Sequence, residues 1–334
     1  MTDIVRGNIE DVKSALLSCA FVVTDTNVKA LYPELCAGAF IIAPGEKSKT
    51  PETLFSILSA MCEKKIARGD RIGALGGGVI GDVTGLAAAL YMRGIEWINI
   101  PTTLLSLADS GMGGKTGINF LGEKNIIGAF HFSTRTILSY DFIDTLPPRE
   151  RLCGIGEIVK TCLLTKDACK KLFDSADKLK EFSREHIDGF IDACVKIKSE
   201  VVRRDPAESG LRRVLNAGHT VGHALESADN WTLSHGEYVL KGLAAEIAMF
   251  PELVDKGFAA EVLRVVRMFT TPPKTTAGSV LRYAERDKKN ADNNFITVML
   301  PTAPGEVSAV EANRDEFVSR YERAIKDLKA VWEA

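Results

Sequence analysis

Three of the five histidines in this 334-residue chain lie between Leu215 and Glu237, in a stretch reading Leu-Asn-Ala-Gly-His-Thr-Val-Gly-His and, after a spacer, Leu-Ser-His-Gly-Glu. His219 and His223 are four residues apart, so on a helix they share one face, a turn apart, and can point into one cavity. His235 follows twelve residues later. If the spacer folds back, its imidazole joins the first two around a divalent metal, since neutral imidazole suits zinc and similar ions. Surface helices also carry histidines at this spacing without any metal. A metal site therefore requires a further ligand, expected to be a carboxylate from elsewhere.

The candidate for that ligand is Glu157, in Gly154-Ile-Gly-Glu157-Ile-Val-Lys160. It is flanked by Ile155, Ile158 and Val159, which implies partial burial, and a buried carboxylate needs a partner. Lys198, Glu208, Arg212 and Asn216 lead directly into His219, so they either line the same cavity or remain solvated surface groups.

Two glycine-rich stretches suggest anion binding in the first half. Gly76-Gly-Gly-Val-Ile-Gly-Asp82 follows a strand pattern and precedes a small-residue helix pattern. It matches Gly-x-Gly-x-x-Gly, in which glycines let backbone approach a pyrophosphate at a helix N-terminus. It lies in the third strand unit, however, and the acid about twenty residues on, Glu96, precedes the next strand instead of ending it. A standard Rossmann reading is therefore weak, while phosphate or dinucleotide contact through Gly77 and Gly78 stands beside a purely structural tight turn. The second stretch, Asp109-Ser-Gly-Met-Gly-Gly-Lys115-Thr, imitates a P-loop but has Asp109 where the first glycine belongs. With Lys124-Asn125-Ile-Ile-Gly it supplies two lysines and an amide on flexible backbone, and the glycine density favours a phosphate site over a solvated loop.

The elements that must position these residues follow from periodicity. Strand patterns at Ala20 to Thr24, Phe40 to Ala43, Arg71 to Leu75 and Trp97 to Ile100 alternate with helix-length segments, which predicts a mainly parallel sheet with ligands at the strand C-termini. One helix should begin at a Thr50 cap with Pro51 in its first position. Asp25 ends the first strand, a place that suits an adenosine ribose and a turn former equally. After Pro147-Pro148 long helical patterns take over, with a strand at Phe295 to Leu300 and a terminal amphipathic helix ending near Trp332. The expected architecture is an α/β nucleotide-binding domain over 1–147 and a helix-rich metal- and substrate-binding domain over 148–334.

Lys plus Arg (42) nearly balances Asp plus Glu (44), so no global field draws the chain to nucleic acid or an anionic membrane. The seven scattered cysteines, with no Cys-x-x-Cys pair, read as reduced thiols. Without an apolar signal core or a spanning segment, the expected location is the cytoplasm.

Read in order, the motifs resemble 3-dehydroquinate synthase, a member of the sugar-phosphate cyclases. They are Pro-Gly-Glu46-Lys-Ser-Lys49, the stretch through Asp82, Tyr-Met-Arg93-Gly, Pro-Thr-Thr-Leu-Leu, Asp109 through Lys115, Lys124-Asn125, Thr145-Leu146-Pro-Pro-Arg-Glu150, Gly-Glu157-Ile-Val-Lys, Gly-Leu-Arg212 through Asn216, and the histidine stretch. The resemblance implies Glu157, His219 and His235 as ligands of one zinc or cobalt ion, with His223 turned to the substrate. It implies NAD contacts from Asp25, Asn27, Glu46, Lys49, Gly77, Gly78, Val79, Asp82, Thr102, Thr103, Thr145, Leu146 and Glu150. Lys115, Asn125, Lys198, Glu208, Arg212, Asn216, His223 and either Lys288 or Lys289 match the substrate site, with Asp109 and Lys124 at its nicotinamide side. Arg93 matches a residue reaching a neighbouring subunit, which implies a homodimer.

The implied reaction converts 3-deoxy-D-arabino-heptulosonate 7-phosphate into 3-dehydroquinate and phosphate, in the shikimate pathway. It proceeds by transient oxidation with NAD, phosphate elimination, re-reduction and intramolecular aldol closure. Rival readings are another sugar-phosphate cyclase or a metal-dependent polyol dehydrogenase. Retention of Asn216 and the lysine pair argues against the first. Glu157 together with Lys115 and Arg212 argues against the second. The short N-terminus implies a trimmed or altered opening β-hairpin.

Overall fold

A computed structural model describes residues 2–285 and 295–333. The chain divides into two compact units, Met1–Pro147 and Pro148–Ala334.

The first unit contains β1 (Asp3–Gly7), α1 (Ile9–Leu17), β2 (Phe21–Asp25), α2 (Thr26–Leu31), β3 (Phe40–Ile42), α3 (Pro51–Glu63), β4 (Arg71–Gly76), α4 (Gly78–Leu90), β5 (Glu96–Pro101), β6 (Lys115–Phe120), β7 (Glu123–Phe130) and β8 (Arg135–Ser139). Six strands form one parallel sheet in the order β1-β8-β5-β4-β2-β3, and β6 with β7 makes a separate antiparallel hairpin. Successive side chains of a strand face opposite ways, and both faces of this sheet are covered. Ile72, Ala74 and Trp97 join Leu54, Ile57 and Val83 of α3 and α4 in one core, whereas Leu75, Ile98 and Ile100 join Val12 and Leu16 of α1 in the other. Helix starts follow local chemistry. Thr50 caps α3 by accepting from Thr53 N at 3.3 Å with Pro51 in the first turn, and Asn8 and Asp11 form a capping box on α1.

All four strands expected in this half are present. β1, β8 and the β6–β7 hairpin were not anticipated, and Lys115 and Lys124 therefore sit on strands instead of in an open loop. β1 pairs in parallel with β8, with Asp3 opposite Arg135.

The second unit consists of α5 (Pro148–Cys162), α6 (Lys166–Lys180), α7 (Arg184–Arg204), α8 (His219–Ala228), α9 (His235–Met249), α10 (Lys256–Arg267), α11 (Ala277–Ala284), the antiparallel pair β9 (Phe295–Ala303) and β10 (Glu306–Asn313), and α12 (Arg314–Glu333). Helix α9 is buried along most of its length and packs against α5, α8 and α12. The expected strand near Phe295 is present and folds back through β10. Among the described residues no helix is long and apolar enough to cross a membrane.

Candidate active site

The residues that bring Glu157 to the histidines are glycines. A Cβ added to Gly156 on α5 would lie 2.2 Å from Gly236 O on α9, and one on Gly236 would lie 2.0 Å from Cys153 O. Neither position admits a side chain, so the two backbones touch where Glu157 and His235 leave them. Helices α8 and α9 meet in the same way, since a Cβ on Gly242 would lie 2.0 Å from Gly218 O, beside His219.

The product is a compact donor set. Glu157 is 1% exposed, and its Oε1 lies 3.3 Å from His219 Nε2 and 3.1 Å from His235 Nε2. The Nδ1 of His219 faces Ala217 O at 3.0 Å, and since a carbonyl only accepts, Nδ1 carries the proton and Nε2 is left for a ligand role. The Nδ1 of His235 faces the Glu226 carboxylate at 3.4 Å, which orients that ring in the same sense. Lys160, itself buried, reaches Glu157 Oε2 at 2.5 Å and occupies the second carboxylate oxygen. Burial alone would raise the Glu157 carboxyl, but Lys160 and the two histidines outweigh it and hold the group well below the usual carboxylate range. Burial likewise acts to lower His235, yet Glu157 and Glu226 carry it up to about 10.

Two imidazole nitrogens and a carboxylate oxygen suit zinc. In a tetrahedral site with bonds of about 2.0–2.2 Å, donor atoms sit roughly 3.3–3.5 Å apart. The Glu157 to His219 separation of 3.3 Å meets that spacing and the 3.1 Å to His235 falls about 0.2 Å short of it, a shift that side-chain rotation covers, so these residues fit a divalent ion. His223 is exposed, with its ring edge-on to His219 at 4.9 Å between centroids, and the three imidazoles form a group whose ligand atoms lie within 4.8 Å of one another.

A loop beside this cluster presents the other candidates. Asp205 follows α7, and its carboxylate accepts from Ser209 N (2.8 Å), Gly210 N (2.8 Å), Arg212 N (2.9 Å) and Ser209 Oγ (3.0 Å). The Arg212 N–H bond is foremost among the contacts that hold the Asp205 carboxyl well below its ordinary value. Glu208 adopts φ 59°, accepts from Asn216 Nδ2 at 3.3 Å, and shares the loop with buried Arg212, whose Nη1 donates to Pro206 O at 3.1 Å. Lys198 on α7 is 5% exposed. Lys288 and Lys289 lie outside the described residues.

In the first unit the candidates gather at strand C-termini. Gly77 precedes α4 with no side-chain cap. A Cβ there would lie 2.9 Å from Thr103 Cγ2, and one on Gly78 would lie 3.0 Å from Ser110 Oγ. The first turn of α4, including Val79, therefore offers backbone N–H groups in a cradle that side chains at 77 and 78 would fill, which fits a dinucleotide phosphate. Thr102 N donates to Gly76 O at 3.0 Å beside it. Lys49 Nζ donates to Asp82 Oδ2 and to Asn125 Oδ1, joining three of the expected residues. Glu46 Oε1 accepts from Asn119 Nδ2 at 2.8 Å.

Asp25 caps α2 by accepting from Asn27 N (2.8 Å) and Val28 N (2.9 Å), so it performs the turn-forming job at the strand end. Thr145 Oγ1 pairs with Tyr32 Oη at 2.9 Å, Leu146 is buried, and Glu150 lies in the first turn of α5. Asp109 sits in the π-type turn Ser106–Ser110. Lys115, Lys124 and Arg93 are exposed, and Arg93 follows Met92 in a left-handed turn with φ 66° and 49°.

Residues 39–153 match the 3-dehydroquinate synthase N-terminal family and residues 154–290 match the 3-dehydroquinate synthase C-terminal family. The chain belongs to the 3-dehydroquinate synthase family. It is 36% identical over 317 residues to the 3-dehydroquinate synthase of Ruminiclostridium cellulolyticum, covering 90% of this chain and 88% of the relative. It is 38% identical over 275 residues to that of a Shewanella species, covering 79% of this chain and 76% of the relative. Among solved structures it resembles ValA, the 2-epi-5-epi-valiolone synthase of Streptomyces hygroscopicus, solved with NAD+ and Zn2+ bound. That match has a TM-score of 0.86 and 28% identity, covering 98% of this chain and 97% of the other. As a member of this family the chain is an enzyme acting on a small molecule.

Sequence reasoning missed Lys160, Asp205 and Glu226. Glu226 lies three residues after His223 and so on the same side of α8, which is the one local signal that marked it.

Proposed function

We propose that the protein converts 3-deoxy-D-arabino-heptulosonate 7-phosphate into 3-dehydroquinate and phosphate, as an NAD- and divalent-metal-dependent lyase. The observation that carries this reading is the Glu157, His219 and His235 donor set in a chain that belongs to this family. The first unit takes the nucleotide through Gly77, Gly78 and the α4 N-terminus, with Asp82, Lys49, Thr102 and Thr103 alongside. The second unit holds the ion and the groups that handle the substrate.

When bound, the ion supplies a Lewis acid for neighbouring hydroxyls, and NAD supplies a reversible hydride acceptor. The residues do the rest. Ala217 O and Glu226 fix both ligand tautomers, and Lys160 holds one Glu157 oxygen so that the other is offered inward. Exposed His223, one helical turn from His219, is assigned to the substrate side of the cluster, where it suits proton exchange with substrate hydroxyls. Arg212, Lys198 and Asn216 supply donors for the carboxylate and the departing phosphate, and Glu208, bonded to Asn216, is held as a second proton-transfer group. Arg93, exposed on a strained turn, is assigned to contact with a second copy in a homodimer, and the protein is assigned to the cytoplasm.

The test is incubation with the heptulosonate phosphate, substoichiometric NAD and zinc or cobalt. Phosphate and 3-dehydroquinate should appear in equal amounts over many turnovers per NAD. Phosphate release without 3-dehydroquinate, or NADH accumulating in step with product, would overturn the proposal in favour of another cyclase or of a dehydrogenase.

A further inference from the structure

Helix α8 carries His219 in its first position and His223 one turn later, yet it begins without a side-chain cap of its own. The residue before it, Gly218, lies in the left-handed region at φ 73° and has no side chain to offer. The first N–H groups of a helix need acceptors, and burying them without one is costly. Here the acceptor arrives from another helix. Glu246, near the C-terminal end of α9, is 0% exposed. Its Oε2 accepts from Gly218 N at 2.8 Å and its Oε1 from Val221 N at 3.0 Å. These two donors flank His219 in the chain, and the approach is possible because Gly242 on α9 sits against Gly218 O.

We propose that Glu246 is a positioning residue for the metal centre, clamping the first turn of α8 so that His219 Nε2 is held at ligand distance from Glu157. Among the described residues no other side chain is seen to cap that turn, and a fully buried carboxyl whose two oxygens both accept from one helix start is a specific arrangement, since burying a polar group without hydrogen bonds is costly. The same helix α9 carries His235 at its opposite end, so one helix presents the third ligand and fixes the turn that presents the second. The inference rests on the ligand assignment proposed above.

The test uses cobalt binding to the full chain, without substrate. Glu246→Gln keeps the shape but can accept through only one oxygen, leaving one of the two N–H groups without an acceptor. The expected result is cobalt affinity weakened about tenfold, with an altered visible absorption spectrum, in protein whose far-UV circular dichroism is unchanged. Glu246→Ala should weaken binding further. Val262→Ala, a buried truncation on α10, serves as a control of comparable destabilisation and should leave the cobalt spectrum unchanged.

Wild-type affinity and spectrum in folded Glu246→Gln would overturn the proposal, as would equal loss of cobalt in the Val262→Ala control. If Glu246→Gln fails to fold, Glu246→Asp decides. Its shorter carboxylate should shift the cobalt spectrum, and an unshifted spectrum counts against the clamp. Failure of the underlying ligand assignment looks different, because wild-type protein would then bind no cobalt or His235→Ala would bind it normally.

Discussion

In the second unit a carboxylate that is 1% exposed stands within 3.3 Å of two imidazoles, each oriented by a further acceptor. In the first unit the glycines at the head of α4 offer backbone N–H groups and no charge of their own, while Lys115 and Lys124 are exposed on a hairpin. On the proposed reading, the ion would meet side chains locked in a packed core and the nucleotide would meet backbone at a helix start. A metal demands donor atoms at fixed short distances, so its site must be rigid before it binds. A long flexible nucleotide gains more from accessible backbone and a helix terminus.

Four substitutions sharpen or break this contrast. His235→Ala should have the largest effect, removing metal retention and lowering turnover by about 10³-fold, the order expected from losing a Lewis acid worth several kcal/mol. Metal content by atomic absorption together with steady-state rates checks this, and normal metal in the folded variant would contradict the ligand assignment. Gly236→Ala comes next. Its Cβ would be driven into Cys153 O, so unfolding in urea should show a loss of about 3 kcal/mol, at the upper end of overpacking costs. A loss below 1 kcal/mol would mean that the helices part easily and the core is not the rigid element.

Gly77→Ala should behave in the opposite way. Its added methyl meets the Thr103 side chain first, at 2.9 Å, and a side chain can shift where backbone cannot, so stability should change by less than about 1 kcal/mol. NAD affinity, by calorimetry, should fall roughly ten- to hundredfold because the phosphate is displaced. The smallest effect concerns acid. The folded-state pKa of Asp205 is lowered from 3.8, foremost by the Arg212 N–H, so its contribution is present above about pH 4 and lost as pH falls below that. Melting temperature in Asp205→Asn should therefore decline less steeply from pH 5 to pH 3 than in the wild type. Parallel curves would show that the loop is held by other contacts.

How far the sequence announced these features depended on their physics. Thr50 followed by Pro51 marks the start of α3 because capping is local, and four of the sheet strands were visible as short β-rich runs between helix-length segments. The His219 and His223 spacing and the apolar flanks of Glu157 announced a site, since each signal lies within a few residues. The β6–β7 hairpin was hidden because Gly117 and Gly128 lie within the strands, where the backbones approach closely. A Cβ on Gly128 would lie 2.4 Å from Thr116 O, and those same glycines suggest a loop when only the sequence is read. Glu226 and Glu246 escaped for another reason. A carboxylate in a helical pattern looks solvated, and only the packing of α8 against α9 and of α9 against α5 shows that these two face inward.

The pairing of β1 with β8 also bears on the order in which the first unit assembles. Asp3 meets Arg135 across 132 residues, so β1 emerges from the ribosome long before β8, its neighbour in the sheet among the described residues, exists. Strands β2, β4 and β5 can pair as they are made, with shorter loops to close. The first strand must wait for β8 to dock beside β5 before it gains a partner. Closing so long a loop is a late and slow event. Until β8 docks, the nascent sheet ends at β5, and until β1 then pairs it ends at β8, in each case an unprotected edge that must avoid pairing with another chain.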